Sequence, residues 1–428
     1  MAAGIGAVEG AGRPRAAIVA SGSELVRGDR HDRNGPYLAS SLLRLGVDPA
    51  RITVVGDDPA DLAAALADGL AHDLLVVSGG LGPTHDDRTA ELLAAAAGVR
   101  LAVDEELRVL IEERSRLAAA RLRRPYADFE EGVVKQATLP EGALWPGLVG
   151  TAPAIVLPLG ERVAVALPGP PRELQELWPR VLETAPLRAL LQRAAAPERR
   201  SLRFYGVSES AVARALAEAG GDGDGVVVTI CAREFEIHVD LFVEPGAAAR
   251  ADELEARLVG PNASYLFSRD ERPTAELVLD ELRARGLTLA TAESCTGGLV
   301  GARLTDVPGS SHVFVGGVVA YSDAVKSSAL GVPAEVLRRH GAVSAEAAAA
   351  MARGARVALG ADVAVSVTGI AGPGGGTDEK PVGLVYLHAS GPTGELQRHL
   401  DVPGDRETVR VRSAVAALHL VRSLVTKA

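Results

Sequence analysis

The chain has 428 residues, 47% of them hydrophobic, with a net charge of −10 and a pI near 5.5. That length predicts two or three domains with substantial cores, and the acidic balance argues against nonspecific nucleic-acid binding. Aromatic residues at 3% leave few stacking platforms for single strands, and two cysteines, Cys231 and Cys295, give neither a disulfide framework nor a cysteine-based zinc site.

In chain order, residues 1–13 are rich in glycine and alanine and read as a flexible tail without the basic start and apolar core of a signal peptide. No apolar run is long enough for a membrane span, and a reducing, cytosolic setting is expected. From Arg15 the signals alternate. Ala16–Ala20 reads as a buried strand, Pro36–Leu45 as a helix ended by Gly46, Arg51–Val55 as a strand, Pro59–Ala71 as a helix and Leu74–Ser78 as a third strand. This βαβαβ order predicts a doubly wound parallel sheet with helices on both faces. Ligands of such sheets sit at the carboxyl ends of the strands. Two motif-rich loops fall there, Ser21-Gly22-Ser23-Glu24-Leu25 and Gly79-Gly80-Leu81-Gly82-Pro83-Thr84-His85-Asp86-Asp87.

The stretch Arg180–Glu198 is helical and charged and marks the first boundary. A small α+β module follows, with a helix over Ser208–Ala219 and strands over Val226–Cys231 and Glu236–Val243. Beyond Arg272 the α/β alternation resumes and runs to a closing helix over Arg406–Val425. The expected domains are 14–180, 181–270 and 271–428, giving an α/β fold class with a small α+β module in the middle.

The most informative run is Thr291-Ala292-Glu293-Ser294-Cys295-Thr296-Gly297-Gly298, between an apolar strand at Leu287–Ala290 and a helix at Leu299–Leu304. It places a small hydroxyl residue at a strand-to-helix turn, where free backbone N–H groups hold anions or oxyanions. Downstream, Tyr321 and Lys326 put a phenol and an amine on one short segment. Only four of the 45 basic residues are lysines, Lys135, Lys326, Lys380 and Lys427. A lysine kept in so arginine-rich a chain is a base candidate, because arginine does not release its proton near neutral pH. Ser294, Tyr321 and Lys326 together suffice for nucleophilic acyl chemistry without histidine. Two plainer readings stand beside this: Ser294 as a helix N-cap, and Lys326 as an exposed or salt-bridging lysine. Cys295 is the stronger intrinsic nucleophile, or a small buried residue. Glu293 orients Lys326 or caps backbone donors.

These strings, with Thr368-Gly369-Ile370-Ala371-Gly372-Pro373-Gly374-Gly375-Gly376, Lys380-Pro381-Val382-Gly383 and Gly404-Asp405-Arg406, resemble the CinA family of competence/damage-inducible proteins. The resemblance covers nearly the whole chain after the tail. It implies a C-terminal nicotinamide mononucleotide (NMN) deamidase domain, a MoaB/MogA-like N-terminal domain signed by Gly79 to Thr84 with Asp86 and Asp87, and a KH-type middle module through Val228 to Glu234. The implied reaction hydrolyses the nicotinamide carboxamide and releases ammonia, with no cofactor. Ser294 is then the nucleophile, Lys326 its base, and Tyr321 a proton relay or positioning group. Glu293, Cys295, Thr296, Gly297, Gly298, Thr368, Gly369, Gly372, Gly374, Gly375 and Arg406 are the substrate-binding candidates.

For the N-terminal domain the resemblance implies metal-dependent cleavage of ADP-ribose. Gly79, Gly80, Gly82 and Thr84 would cradle phosphate, and Asp86, Asp87, Glu24 and Asp32 would hold a divalent metal of the magnesium or manganese class. Asp86 and Asp87 as caps of the next helix are the plainer reading. The chain departs from the family pattern here. Val133 and Val134 stand in place of an asparagine and an arginine, Gly147 in place of an asparagine, and Ser21-Gly22-Ser23-Glu24 in place of a Gly-Thr-Glu-like form. The expected partners are small nucleotides, NMN and ADP-ribose, and a second copy of the chain in a homo-oligomer, with neither membrane nor nucleic acid. The acidic loop Gly220–Gly225 is unsuited to RNA phosphate. The rival to the enzyme reading is a non-catalytic scaffold in DNA uptake or damage response.

Overall fold

In a computed structural model, residues 13–194 and 196–426 are described. The chain divides into two compact units, one ending at Glu198 and taking in Val243–Gly246, the other comprising Arg199–Phe242 and Ala247 onward. The tail expected over 1–13 lies, apart from Arg13, outside the described residues.

The first unit is built on a five-stranded sheet in the order Asp48–Val55, Arg15–Ser21, Leu74–Ser78, Arg162–Leu167, Ile155–Leu159. The first four strands are parallel and the last is antiparallel. Alternate side chains feed two cores, as the period of two requires. Ala17, Val19, Leu75 and Val77 point into one core with Leu62 and Leu66 of the helix Pro59–Gly69. Ala16, Ile18, Leu74 and Val76 point into the other with Leu38 and Leu42 of the helix Asn34–Arg44. The Pro59 helix starts where Asp58 accepts the N–H groups of Ala60 and Asp61, with proline at its first position. Helices thus cover both faces, and the strand-end loops are left open. The boundary drawn at 180/181 falls inside the helix Pro171–Leu182. Leu187 and Leu190 of the next helix, Ala185–Gln192, are buried with Trp178 in the same core, so the first unit continues through both helices.

The second unit contains two sheets. The smaller runs in the order Val226–Arg233, Glu236–Val243, Glu198–Tyr205, Leu266–Ser268, with the helices Glu209–Glu218 and Ala248–Val259. The larger runs in the order Phe314–Val319, Leu289–Glu293, Val363–Gly369, Leu384–Gly391, Gly394–Asp401. Its first three strands are parallel and the last two antiparallel. The alanine-rich helix Ala345–Leu359 packs against Ala290, Ala292 and Ala364 through Met351 and Ala355. The helices Thr274–Ala284 and Arg406–Thr426 cover the opposite face.

A buried junction joins the two sheets' layers. Glu236 accepts hydrogen bonds from Thr274 Oγ1 at 2.5 Å, His419 Nε2 at 2.7 Å and His238 Nε2 at 3.0 Å. Burial pushes its carboxyl up, but the hydrogen bonds from His238, His419 and Thr274 outweigh it and hold the group down at about 2. The Tyr205 ring stacks on His419 at 3.7 Å, and Phe267 meets that imidazole edge-on at 4.7 Å.

Candidate active site

Three loops gather at the carboxyl ends of the parallel strands of the larger sheet. Residues 294–298 leave the strand Leu289–Glu293 directly. That strand runs three residues past the expected Leu287–Ala290 end, so Ser294 lies at its tip. The Ser294 N–H donates to the Val367 carbonyl at 2.8 Å, which ties the tip to the neighbouring strand. The Ala320 N–H donates to the Glu293 carbonyl at 2.7 Å and brings the Tyr321–Lys326 segment to the same edge.

Ser294 is not the cap of the following helix. Gly298 occupies the N-cap position, with no side-chain cap bond. The capping is done by the buried Glu293, whose carboxylate accepts from the Gly298 and Val300 N–H groups at 3.0 Å each and from Gly301 N–H at 2.8 Å. Of its two expected roles Glu293 therefore fills the capping one, a favourable place for an anion at a helix start. Gly298 has a φ of 95° and Gly297 one of 62°, left-handed values that favour glycine.

Oxyanion or phosphate donors were expected anywhere from Cys295 to Gly298. The Gly297 N–H is already used by the Ser294 carbonyl and that of Gly298 by Glu293. The N–H groups of Cys295 and Thr296 have no oxygen acceptor among the described residues; both face the Cys295 sulfur, a weak acceptor. The Thr296 hydroxyl is buried without a partner. Its carbonyl accepts from Arg410 Nη2 at 2.9 Å. Arg410 was missed from sequence. The available signal was its position one helical turn after Arg406, which puts both guanidinium groups on one face.

Lys326 is 1% exposed, so of the plainer reading the exposed form does not hold and the salt-bridging form does. Its Nζ donates to the Tyr321 carbonyl at 3.3 Å and lies 3.6 Å from Asp323 Oδ1. No hydrogen bond joins it to the Ser294 or Tyr321 hydroxyl. The Tyr321 ring is 61% exposed, and its hydroxyl accepts from Arg406 Nη2 at 2.9 Å. The relay from Ser294 to Lys326 through the phenol is thus not formed here; the phenol is paired with an arginine instead. Arg406 also donates from Nη1 to the Gly372 carbonyl at 2.8 Å, so this one guanidinium bridges the Tyr321 segment and the glycine-rich loop.

In that loop, Gly372 has a φ of 79° and precedes a cis peptide to Pro373, while Gly374 and Gly375 are exposed. Gly369 is a packing residue, since a Cβ there would lie 2.7 Å from the Leu384 carbonyl oxygen. Thr368 does not offer its proton to a ligand: its hydroxyl donates to the Ala342 carbonyl at 2.7 Å. Cys295 is buried, and burial pushes its thiol up to about 12. That leaves it protonated and unreactive at neutral pH. A thiol reagent at pH 8 is expected to modify the exposed Cys231 rapidly and Cys295 only after denaturation; mass mapping of the labelled sites checks this, and fast labelling of Cys295 would restore it as a nucleophile.

Removing the Glu293 charge tests the turn. Glu293→Gln replaces three charge-assisted bonds with weaker ones and supplies a donor facing N–H groups. It is expected to cost about 1.5–3 kcal/mol in urea unfolding, and an unchanged midpoint would show that the cap contributes nothing.

In the first unit a cavity of about 1040 Å³ opens at the strand ends, lined by the 21–34 loop, Gly79–Pro83, Asp86, Asp87 and Pro168–Pro171. The four acidic candidates line it, yet they do not converge. Asp32 accepts the N–H groups of Asn34 and Gly35, while Asp86 and Asp87 both accept from the Thr84 hydroxyl. That bond holds the Asp86 carboxyl below its usual value. Neither aspartate caps the helix Thr89–Ala97, whose N-cap position is Arg88 with no side-chain bond. Among the described residues no three His, Cys, Asp or Glu side chains are grouped to hold a metal, so these carboxylates do not fit a preformed metal site.

Of the phosphate cradle, Gly79 N–H is used by the Leu167 carbonyl and Thr84 N–H by Asp87. The N–H groups of Gly80, Leu81 and Gly82 have no protein acceptor among the described residues. Val133 is packed in the core and Val134 faces outward; neither borders the cavity.

Comparison with known proteins gives one family model within each unit. Residues 271–425 match the family model described as the CinA C-terminal domain, and residues 17–188 match the probable molybdopterin binding domain. A CinA-like protein of Mycobacterium sp. (strain MCS) is 44% identical over 421 residues, covering 95% of this chain and 98% of the relative. One from Mycobacterium tuberculosis (strain ATCC 25177 / H37Ra) is 43% identical over 418 residues, covering 95% and 96%. Among solved structures, the competence/damage inducible protein CihA from Agrobacterium tumefaciens is 42% identical, covering 35% of this chain and 93% of its own, with a TM-score of 0.35. With two domain matches in the expected order and near full-length similarity to such relatives, the chain belongs to the CinA family.

Proposed function

We propose that the second unit hydrolyses the carboxamide of NMN, giving nicotinate mononucleotide and ammonia. The observation that carries this reading is a lysine amine withdrawn from water on the segment tied to the Ser294 strand tip, where the Cys295 and Thr296 N–H groups meet no stronger acceptor than a sulfur. Ser294 Oγ attacks the carboxamide carbon and the Lys326 amine takes its proton. The Cys295 and Thr296 N–H groups receive the oxyanion. Collapse expels ammonia, protonated by the lysine, and water then hydrolyses the ester to regenerate Ser294. In the bound complex Arg406 and Tyr321, already paired, orient the ribose phosphate over the glycine loop. The test is ammonia release from NMN by the purified full chain; none above background from folded protein would overturn it.

For the first unit we propose binding of ADP-ribose at the strand-end cavity, supported by the free N–H groups of Gly80, Leu81 and Gly82. Because the acidic side chains are engaged with their own loops, we derive no metal-dependent hydrolysis from them.

A further inference from the structure

We propose that the floor of the first unit's cavity, formed by Asn34, Ser21 and Ser78, recognises an uncharged, hydroxyl-bearing part of a ligand, such as a ribose. The inference rests on reading this cavity as a nucleotide site, and it assigns which part of the ligand goes deepest.

Asn34 is the first residue of the helix Asn34–Arg44 and is buried. Its Nδ2 donates to the Gly169 carbonyl at 2.7 Å and to Ser78 Oγ at 2.8 Å. A carbonyl only accepts, so the orientation of the amide is fixed by the network. Its Oδ1 is consequently committed as an acceptor, and it is buried with no partner. The Ser21 hydroxyl is likewise buried and unpartnered. Asn34, Ser21, Ser78 and Gly169 all line the cavity, at the carboxyl ends of three adjacent strands. Buried polar atoms in native proteins are normally satisfied, so two orphans on one cavity floor point to a group that arrives with the ligand.

The chemistry of the floor selects that group. An amide oxygen repels a phosphate oxygen and needs a donor. Ser21 both donates and accepts, as a sugar hydroxyl does. The rim adds to this: Glu24, Asp29, Asp32, Asp57, Asp86, Asp87 and Glu173 outnumber the Arg30 and Arg33 that line it with them, and Lys135 stands beside Asp86. A bare polyanion is disfavoured by such a lining, whereas a neutral polyol is not. Phosphate is left to the Gly80–Gly82 backbone, away from the Asn34 oxygen.

The test is calorimetric titration of the full chain with ADP-ribose, ribose 5-phosphate and inorganic pyrophosphate, using wild type, Ser21→Ala and Asn34→Ala. Ser21→Ala removes a hydroxyl that holds nothing in the protein, so its fold is kept even if Asn34→Ala fails to fold. The expected result is at least a tenfold loss of ADP-ribose affinity in each folded variant and a parallel loss for ribose 5-phosphate, with pyrophosphate binding more weakly than ADP-ribose to wild type and no more weakly to the variants. Wild-type affinity for ADP-ribose in Ser21→Ala, or equal losses for pyrophosphate, would overturn the assignment and leave the floor to ordered water. If wild type binds no ADP-ribose, the nucleotide reading fails, and the floor is then judged by the Asn34 side-chain amide resonance. A shift with ribose 5-phosphate upholds hydroxyl recognition, and none overturns it.

Discussion

Ser294→Ala is expected to reduce ammonia release from NMN by at least about 10³-fold, because a nucleophile whose attack defines the covalent step has no substitute in the site. Cys295 cannot stand in: its thiol is buried and held at about 12. The hydroxyl lost makes no hydrogen bond among the described residues, so the variant should unfold at the wild-type urea midpoint. KM should change little, since the Arg406–Tyr321 pair and the glycine loop are intact. A variant retaining more than a tenth of wild-type kcat would remove Ser294 from the reaction and shift attention to direct attack by water.

The second large effect is expected at Lys326. Lys326→Met keeps the apolar stem that fills a site only 1% exposed and deletes the amine. Loss of a positioned general base typically costs about 10²–10⁴-fold, and this should appear in kcat. Lys326→Arg retains charge but not a usable base, so it should be equally inactive. The pair of variants separates two roles. If charge alone matters, by holding the Tyr321 carbonyl and offsetting Asp323, arginine should rescue part of the activity lost in methionine. If proton transfer matters, it should not. Rescue by arginine to near wild-type kcat would show that Lys326 is a positioning residue.

Much of the fold was legible because burial and periodicity agree in it. The strand Leu74–Ser78 falls where the sequence predicts it, an uninterrupted apolar run between clear punctuation. The strand ending in Glu293 was cut short at Ala290 because threonine and glutamate read as a surface turn. Only the three N–H groups that meet the Glu293 carboxylate make its burial tolerable, and they come from residues up to eight positions away. The same limit applies at Tyr321. Sequence proximity suggested that its phenol faces Lys326, yet the partner is Arg406, 85 positions on. In the N-terminal loops, the acidic residues were recognisable but their allegiance was not, since a short-range bond to Thr84 or to a local N–H competes with any shared ligand. Asn34 lies just before the helix expected from Pro36, and no motif in the sequence singles it out. What distinguishes it is a carbonyl at Gly169, 135 residues away, that dictates which end of its amide is left over.

The Glu236 junction has a bearing on how such a chain is divided. The family model begins at residue 271, a border of shared ancestry. The carboxylate that satisfies Thr274 and His419 comes from residue 236, and the ring that shields His419 comes from Tyr205. Heredity and cooperativity therefore draw different lines here. A chain starting at 271 would keep every residue of the proposed deamidase turn while leaving the buried His419 imidazole without its carboxylate partner or its ring cover.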